Sequence, residues 1–160
     1  MNRQIQIFLS YSGTKGPAQH VIVVRQVANL CKEVLEHRKW TCLDPMSSRD
    51  SENIHQRIVR ELNSADGLIA EVTLCPPNIG LEIGYQIALG RPVVCLIRDD
   101  IKELMEQDEV FRKHIELTGA THERPLPTDL GDLQFIDYPS DLTSESLSGN
   151  FMWDCIVFAA

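Results

Sequence analysis

Residues 66–98 read DGLIAEVTLCPPNIGLEIGYQIALGRPVVCLIR, and this stretch decides the fold class. Asp66 to Thr73 is an apolar run typical of a strand, and Pro92 to Arg98 is an unbroken apolar run of the kind buried on both faces of a sheet. Between them, Leu81 to Leu89 is predicted to be a helix that ends at Gly90. Because a strand–helix–strand unit joins parallel strands, the stretch predicts an α/β fold.

The rest of the chain continues the alternation of strands and helices. Before the central stretch we expect five features: a strand over Ile5 to Tyr11, a turn over Ser12 to Gly16, a helix from Pro17 to His37, a strand over Trp40 to Leu43, and a helix capped by Ser51. After it we expect four: a helix over Ile101 to Leu117, a polar loop over Gly119 to Asp132, a fifth strand over Leu133 to Tyr138, and an apolar tail over Phe151 to Ala160 that packs on the sheet. Residues 1–160 are therefore predicted to form one domain, a flavodoxin-like three-layer sandwich with a five-stranded, mainly parallel sheet.

The flavodoxin-like order also predicts where a ligand binds. Ligands of such sheets lie past the carboxyl ends of the strands, at the switch between strands one and three. Two loops meet there: Tyr11 to Gly16, and Thr73 to Gly80. Candidate site residues are therefore sought first in these loops.

Composition and charge exclude several classes of protein. The hydrophobic share of 43% and the charged share of 24% are those of a soluble globular protein, and no run is as long as a membrane span. The formal charge of −8 argues against binding a nucleic-acid polymer. Five widely spaced cysteines without a Cys-x-x-Cys pair argue against a disulfide framework and a zinc site. The opening residues show no signal peptide, and we therefore expect a cytoplasmic protein. We also expect no metal and no cofactor.

Glu82 is the best candidate for a catalytic carboxylate. It is predicted to lie in the first turn of a helix, where unpaired backbone N–H groups and the helix dipole favour the ionised form. Such a carboxylate can attack a sugar anomeric carbon or stabilise an oxocarbenium-like transition state. The alternative is that Glu82 only complements the helix dipole, since acidic residues are common in first turns.

Gly80 and Gly84 flank Glu82. They would let a ligand approach the backbone, or let the helix pack tightly on the sheet. The glycines are not a dinucleotide fingerprint, because Gly-x-Gly-x-x-Gly is absent, and the turn SGTKG does not have the spacing of a Walker A loop.

Three segments carry a family resemblance: ADGLIAEVT at 65–73, GLEIG at 80–84 and GRPVVCLIR at 90–98. Their order and spacing resemble the core of the nucleoside 2-deoxyribosyltransferase family, and most of all its branch of deoxynucleoside 5′-monophosphate N-hydrolases. The resemblance implies cleavage or transfer at the N-glycosidic bond of a nucleoside or nucleoside 5′-monophosphate, with Glu82 as the nucleophile. It also implies a homodimer or higher homo-oligomer with sites near the subunit interfaces.

The chain departs from this family at three places. The position of the family's helper aspartate is occupied by Ile58. The polar residue of the family's first strand has no clear counterpart here, although Tyr11 lies one turn further along. The family's phosphate-binding serine is replaced within Pro76-Pro77-Asn78. These departures leave open a domain of the same fold that binds nucleotides or another protein without turnover.

A second resemblance concerns the first strand. The run Ile7-Phe-Leu-Ser-Tyr-Ser12 is similar to the first strand of TIR domains, some of which cleave NAD with a glutamate. An ordinary strand and turn would read the same way. An NAD-cleaving enzyme is therefore the alternative to a nucleotide N-glycosidase.

Several further residues are candidates for substrate binding. Lys15, Arg49 and Arg57 could bind a phosphate, although such residues are more often solvated surface cations. Ser10, Ser12 and Thr14, with the backbone N–H groups around Gly13, could hold an anion without formal charge. Asn78 could orient a sugar hydroxyl or cap the helix, and Asp44 could meet a base or a hydroxyl or simply form an Asp-Pro turn. Tyr11 and Gly80 complete the predicted site.

Overall fold

The computed structural model describes residues 4–12, 18–46, 53–74, 76–117 and 133–139. Its five strands are β1 (Gln6–Ser10), β2 (Thr41–Leu43), β3 (Gly67–Glu71), β4 (Val93–Arg98) and β5 (Gln134–Tyr138). All neighbouring strands are parallel, and their order is β2-β1-β3-β4-β5. This is the flavodoxin-like order, so the predicted fold class is confirmed. The switch point lies between β1 and β3.

Five helices connect and cover the strands: α1 (Ala18–His37), α2 (Ile54–Ser64), α3 (Pro77–Ala88), α4 (Ile101–Gln107) and α5 (Glu109–Leu117). Successive strand residues point to opposite faces of the sheet, which divides the core in two. Ile7 and Leu9 pack with α1, whereas Phe8 packs with α2 and α3. The result is the predicted sandwich of helices, sheet and helices.

Helix α3 begins four residues earlier than the sequence pattern indicated. Pro76 is extended, with φ −61° and ψ 152°, and Pro77 is the first helical residue. Proline is favoured there because its fixed φ suits the first turn and its missing N–H would have no helical partner. Glu82 is consequently the sixth residue of the helix, in its second turn, and the prediction of a first-turn position was wrong.

The expected single helix over 101–117 is divided at Asp108. That residue is extended, with φ −125° and ψ 106°, and ends α4. Its carboxylate accepts hydrogen bonds from the backbone N–H groups of Val110 at 2.9 Å and Phe111 at 3.0 Å. Asp108 therefore caps α5, a role that aspartate performs better than it continues a helix.

The predicted cap of α2 was also displaced. Asn53 is the capping residue, and its side chain accepts a hydrogen bond from the backbone N–H of His55 at 3.0 Å. Ser51 lies outside the described residues, as do the 119–132 loop and the tail at 151–160. None of the helices described here is both long enough and apolar enough to cross a membrane.

Candidate functional site

Ser10 and Glu82 meet at the switch point between β1 and β3. Ser10 is the last residue of β1, and its hydroxyl donates a hydrogen bond to Oε2 of Glu82. Both side chains are buried, with exposed fractions of 2% for Ser10 and 9% for Glu82. The sheet brings them together because β1 and β3 are adjacent and α3 follows β3 across the carboxyl edge.

The second carboxylate oxygen of Glu82 makes no hydrogen bond to the described part of the chain. Glu82 contributes to the wall of a cavity of about 630 Å³. The described residues that line this cavity are Tyr11, Ser12, Met46, Ile54, His55, Ile58, Val59, Leu62, Asn78, Leu81, Glu82 and Tyr85. A mostly apolar cavity with a few polar groups at fixed places is the usual form of a small-molecule site.

Burial governs the charge of Glu82. Loss of solvent raises the pKa of the Glu82 carboxyl, and the hydrogen bond from Ser10 opposes this by favouring the ionised form. The sequence-based expectation, in which a first-turn helix dipole holds Glu82 ionised, is therefore replaced by a different balance. The Ser10 hydroxyl, and not the unpaired N–H groups at the start of the helix, stabilises the Glu82 carboxylate.

Tyr11 and Asp44 form a second polar pair beside the cavity. The Tyr11 hydroxyl donates to Oδ2 of Asp44 at 3.2 Å, and the backbone N–H of Met46 donates to Oδ1 at 2.9 Å. Lys32 on α1 forms a salt bridge with the same carboxylate. Asp44 is buried and does not line the cavity, so the structure places it behind Tyr11. Burial is the largest cause that raises the pKa of the Tyr11 hydroxyl, and the charge of the Asp44 carboxylate is the second.

The other predicted site residues divide into three groups. Ser12 and Asn78 line the cavity with Tyr11 and Glu82. Arg57 does not line it, because its guanidinium is buried beside Glu61 with Nε at 3.6 Å from Oε1. The candidates at 13, 14, 15 and 49 (Gly13, Thr14, Lys15 and Arg49) lie outside the described residues.

Asn78 and the two glycines differ from their predicted structural roles. Asn78 lies inside the first turn of α3 and does not cap it, since the capping position is Pro76. A Cβ added to Gly80 or Gly84 would meet nothing within 4 Å in the described residues. Tight packing of α3 on the sheet therefore does not explain the glycines. Neither glycine is among the described residues that line the cavity, so the structure does not bring the predicted binding residue Gly80 into the site.

The apolar wall of the cavity was not predicted from the sequence. Ile54 and Val59 of α2, with Leu81 of α3, line the cavity while remaining substantially exposed. Ile58, at the position where the family resemblance places a helper aspartate, lines the cavity as well. The available signal was a second set of apolar residues on α2, off the face that packs on the sheet.

A separate buried polar cluster lies at the carboxyl ends of β3, β4 and β5. Oε1 of Glu71 accepts hydrogen bonds from the Thr73 hydroxyl, from the Thr73 backbone N–H at 3.1 Å and from the Tyr138 hydroxyl at 2.9 Å. Nε2 of His20 lies 4.0 Å from Oε2. Burial raises the pKa of Glu71 despite these donors. The cluster joins strand ends and does not contribute to the cavity.

No family model matches the chain. Residues of the chain are 30% identical over 89 positions to the 5-hydroxymethyl-dUMP N-hydrolase of Rattus norvegicus, covering 54% of this chain and 55% of that protein. The mouse protein of the same name is 32% identical over 89 residues, covering 54% and 51%.

A third relative decides the family. The Trichoplax adhaerens protein named "Putative 2'-deoxynucleoside 5'-phosphate N-hydrolase 1" is 30% identical over 98 residues, covering 61% of this chain and 68% of that protein. This chain belongs to the 2′-deoxynucleoside 5′-phosphate N-hydrolase family. The N-hydrolase names support that branch of the predicted resemblance and give no support to a TIR-like first strand. The chain spans about half the length of the rat and mouse relatives.

A solved structure supports the fold of this N-hydrolase family member. A crystal structure of a conserved protein from Enterococcus faecalis V583 matches with a TM-score of 0.51 and 17% sequence identity, covering 91% of this chain and 95% of that one. At this identity the match concerns the fold alone. It agrees with the five-stranded parallel sheet described above.

Proposed function

We propose that this chain hydrolyses the N-glycosidic bond of a 2′-deoxynucleoside 5′-monophosphate, with Glu82 as the nucleophile. The observation that carries the proposal is the state of the Glu82 carboxylate. One oxygen is held by Ser10, the other has no described protein partner, and the side chain lines an apolar cavity at the switch point. The family membership supplies the reaction class.

The proposed first step is attack of the second Glu82 oxygen, Oε1, on C1′ of the sugar. The C1′–N bond breaks, its electron pair leaves with the base, and a glycosyl ester of Glu82 forms. Burial makes the charge of Glu82 costly, and ester formation removes that charge. Water then attacks C1′ and loses a proton, which the departed base anion takes up through solvent. The sugar phosphate is released and the carboxylate is restored.

The apolar wall supports placing the base in the cavity. Ile58, Val59 and Leu81 present surfaces on which a flat heterocycle can be buried. At position 58 this chain offers no acid to protonate the leaving base. His55 on the same helix is the imidazole among the described lining residues.

The phosphate is assigned to residues 13–15, which follow Ser12 in the sequence. Lys15 and the backbone around Gly13 follow Ser12, which lines the cavity. Lys15→Ala should raise KM more than it lowers kcat, because a phosphate contact binds substrate and transition state alike. Equal KM values for a nucleoside and its 5′-phosphate in the unchanged protein would contradict a phosphate site.

A product assay tests the proposed reaction. The protein is incubated with nucleosides, ribonucleoside and deoxynucleoside monophosphates and NAD, and free base is measured by chromatography. We expect base release to be fastest from a deoxynucleoside monophosphate, with no new nucleotide formed when a second base is added. Cleavage of NAD alone would support the TIR-like alternative. Binding without release of any base would support a domain that has lost turnover.

We also propose that the chain forms a homodimer or higher homo-oligomer through the exposed face of α2 and α3. Leu81 on this face is 75% exposed, and Ile54, Val59 and Tyr85 are exposed around it. An apolar patch of this kind usually marks an interface. Sedimentation should show a species larger than the 18.1 kDa chain. Leu81→Asp should shift it toward the monomer, whereas Val110→Asp on α5, which is 64% exposed, should not.

A further inference from the structure

The hydrogen-bond direction at Tyr11 restricts what the cavity can bind. The Tyr11 side chain lines the cavity, and its hydroxyl donates to the buried carboxylate of Asp44 at 3.2 Å. Asp44 is held in turn by Lys32 and by the backbone N–H of Met46. The position and the direction of the Tyr11 hydroxyl are therefore both set by groups behind the cavity wall.

A phenol carries a single proton, and an ionised carboxylate can only accept. The salt bridge to Lys32 indicates that Asp44 is ionised, so the proton shared by the pair belongs to Tyr11. At 3.2 Å this contact is longer than a typical O–H···O hydrogen bond, but the charge of its acceptor still favours keeping the proton on the Asp44 side. The remaining capacity of the Tyr11 oxygen is to accept a hydrogen bond from the cavity side.

This restriction determines which groups of a nucleotide can bind to the Tyr11 oxygen. Phosphate oxygens and base carbonyls are acceptors, and they would face another acceptor at Tyr11. A sugar hydroxyl and a base N–H are donors, and either would satisfy the Tyr11 oxygen. An unpaired polar group in a mostly apolar cavity is costly, so this contact discriminates between ligands.

We propose that Tyr11, oriented by Asp44, is a specificity-determining residue that accepts a hydrogen bond from a sugar hydroxyl or a base N–H of the bound nucleotide. The inference takes the class of ligand, a nucleotide, from the proposed function. It does not depend on the proposed chemical step. Asp44 acts through Tyr11 and is a positioning residue.

A binding experiment separates this inference from the catalytic one. Dissociation constants are measured by calorimetry on Glu82→Gln protein, so that turnover does not interfere. The probes are the tightest-binding deoxynucleoside monophosphate, its 3′-deoxy analogue and its base-N-methylated analogue. One analogue should bind roughly 2- to 12-fold more weakly than the parent, as expected for one net hydrogen bond. The analogue that loses affinity identifies the donor as the sugar hydroxyl or the base N–H.

The discriminating quantity is the ratio of the analogue's dissociation constant to that of the parent nucleotide. This ratio is measured again after removal of the phenol oxygen. In Tyr11→Phe the parent and the analogues should bind equally, whereas Tyr85→Phe, which removes the other phenol oxygen of the cavity, should leave the ratio unchanged. Asp44→Asn should also reduce the ratio, because its amide can donate to Tyr11 and turn the phenol proton toward the ligand.

Two outcomes would overturn the inference. A ratio that persists in folded Tyr11→Phe protein, or failure of every nucleotide probe to bind, would exclude Tyr11 as the acceptor. If the unchanged protein releases base but the affinity ratio does not depend on Tyr11, the proposed reaction stands and the Tyr11 inference fails. A Tyr11-dependent ratio without any base release would sustain the Tyr11 inference and contradict the reaction.

Discussion

Ser10→Ala removes the donor that stabilises ionised Glu82. Among the described residues, Ser10 is the side chain whose hydrogen bond lowers the pKa of Glu82 against the effect of burial. A hydrogen bond to a charged group is worth about 1.5–3 kcal/mol. That range corresponds to a roughly 10- to 150-fold smaller ionised fraction at a pH where Glu82 is mostly protonated.

The sign of the pH effect follows from the proposed mechanism. Only ionised Glu82 can attack C1′, and loss of the Ser10 hydroxyl raises the pKa of Glu82 further. The acid limb of the kcat/KM profile should therefore move to higher pH. The rate of Ser10→Ala should be depressed by about 10- to 150-fold on that limb and should recover toward the unchanged protein in alkaline buffer.

The assay is base release from the preferred nucleotide between pH 4 and 9, with folding followed by circular dichroism. Ser12→Ala is the matched control, because Ser12 is also a buried serine that lines the cavity but is not among the groups that act on the pKa of Glu82. Whatever its effect on the rate, its acid limb should stay in place. An unmoved acid limb in folded Ser10→Ala protein would refute the reasoning.

Three predictions concern stability and are checked by urea unfolding. Because burial raises the folded-state pKa of Glu82, the stability it contributes is present at low pH and is lost as pH rises through that pKa. Glu82→Gln should therefore gain stability relative to the unchanged protein as pH rises above about 4.5, the ordinary pKa of a glutamate, and a constant difference would contradict this. Asp108→Ala should cost about 1 kcal/mol through loss of the α5 cap, whereas no loss would show that the cap is dispensable. Lys32→Met should cost about 1–3 kcal/mol, since it leaves the buried Asp44 carboxylate without its cation, and a neutral effect would argue against that salt bridge.

The fold was predictable because its signals are local and repeated. Uninterrupted apolar runs such as Pro92 to Arg98 occur where both faces of a strand are buried. Their alternation with helices determined the parallel sheet, and the order of five strands followed from the commonest arrangement. The errors were at element ends, where one side chain decides. Asp108 divided a helix through hydrogen bonds to two backbone N–H groups, which periodicity does not detect.

The candidate site was predictable only where the chain itself brings residues together. The switch-point loops indicated Tyr11, whereas Ser10 was predicted from its hydroxyl and Glu82 from its helix position and the family resemblance. The structure places all three at one edge of the sheet. The sequence could not indicate that Ser10 contacts Glu82, since 72 residues separate them. Nor could it indicate that Arg57 is buried away from the cavity, because that depends on the packing of α2 against the sheet.

The most direct test of the central claim is the rate of base release by Glu82→Gln. Glutamine keeps the shape of the side chain and can still accept a hydrogen bond from Ser10, but it cannot form the glycosyl ester. The rate on the preferred deoxynucleoside monophosphate should fall on the order of 10⁴-fold or more, with nucleotide binding retained. Glu103→Gln, at an exposed position on α4, should keep the full rate. Retention of a tenth of the original rate by Glu82→Gln would contradict its assignment as the nucleophile.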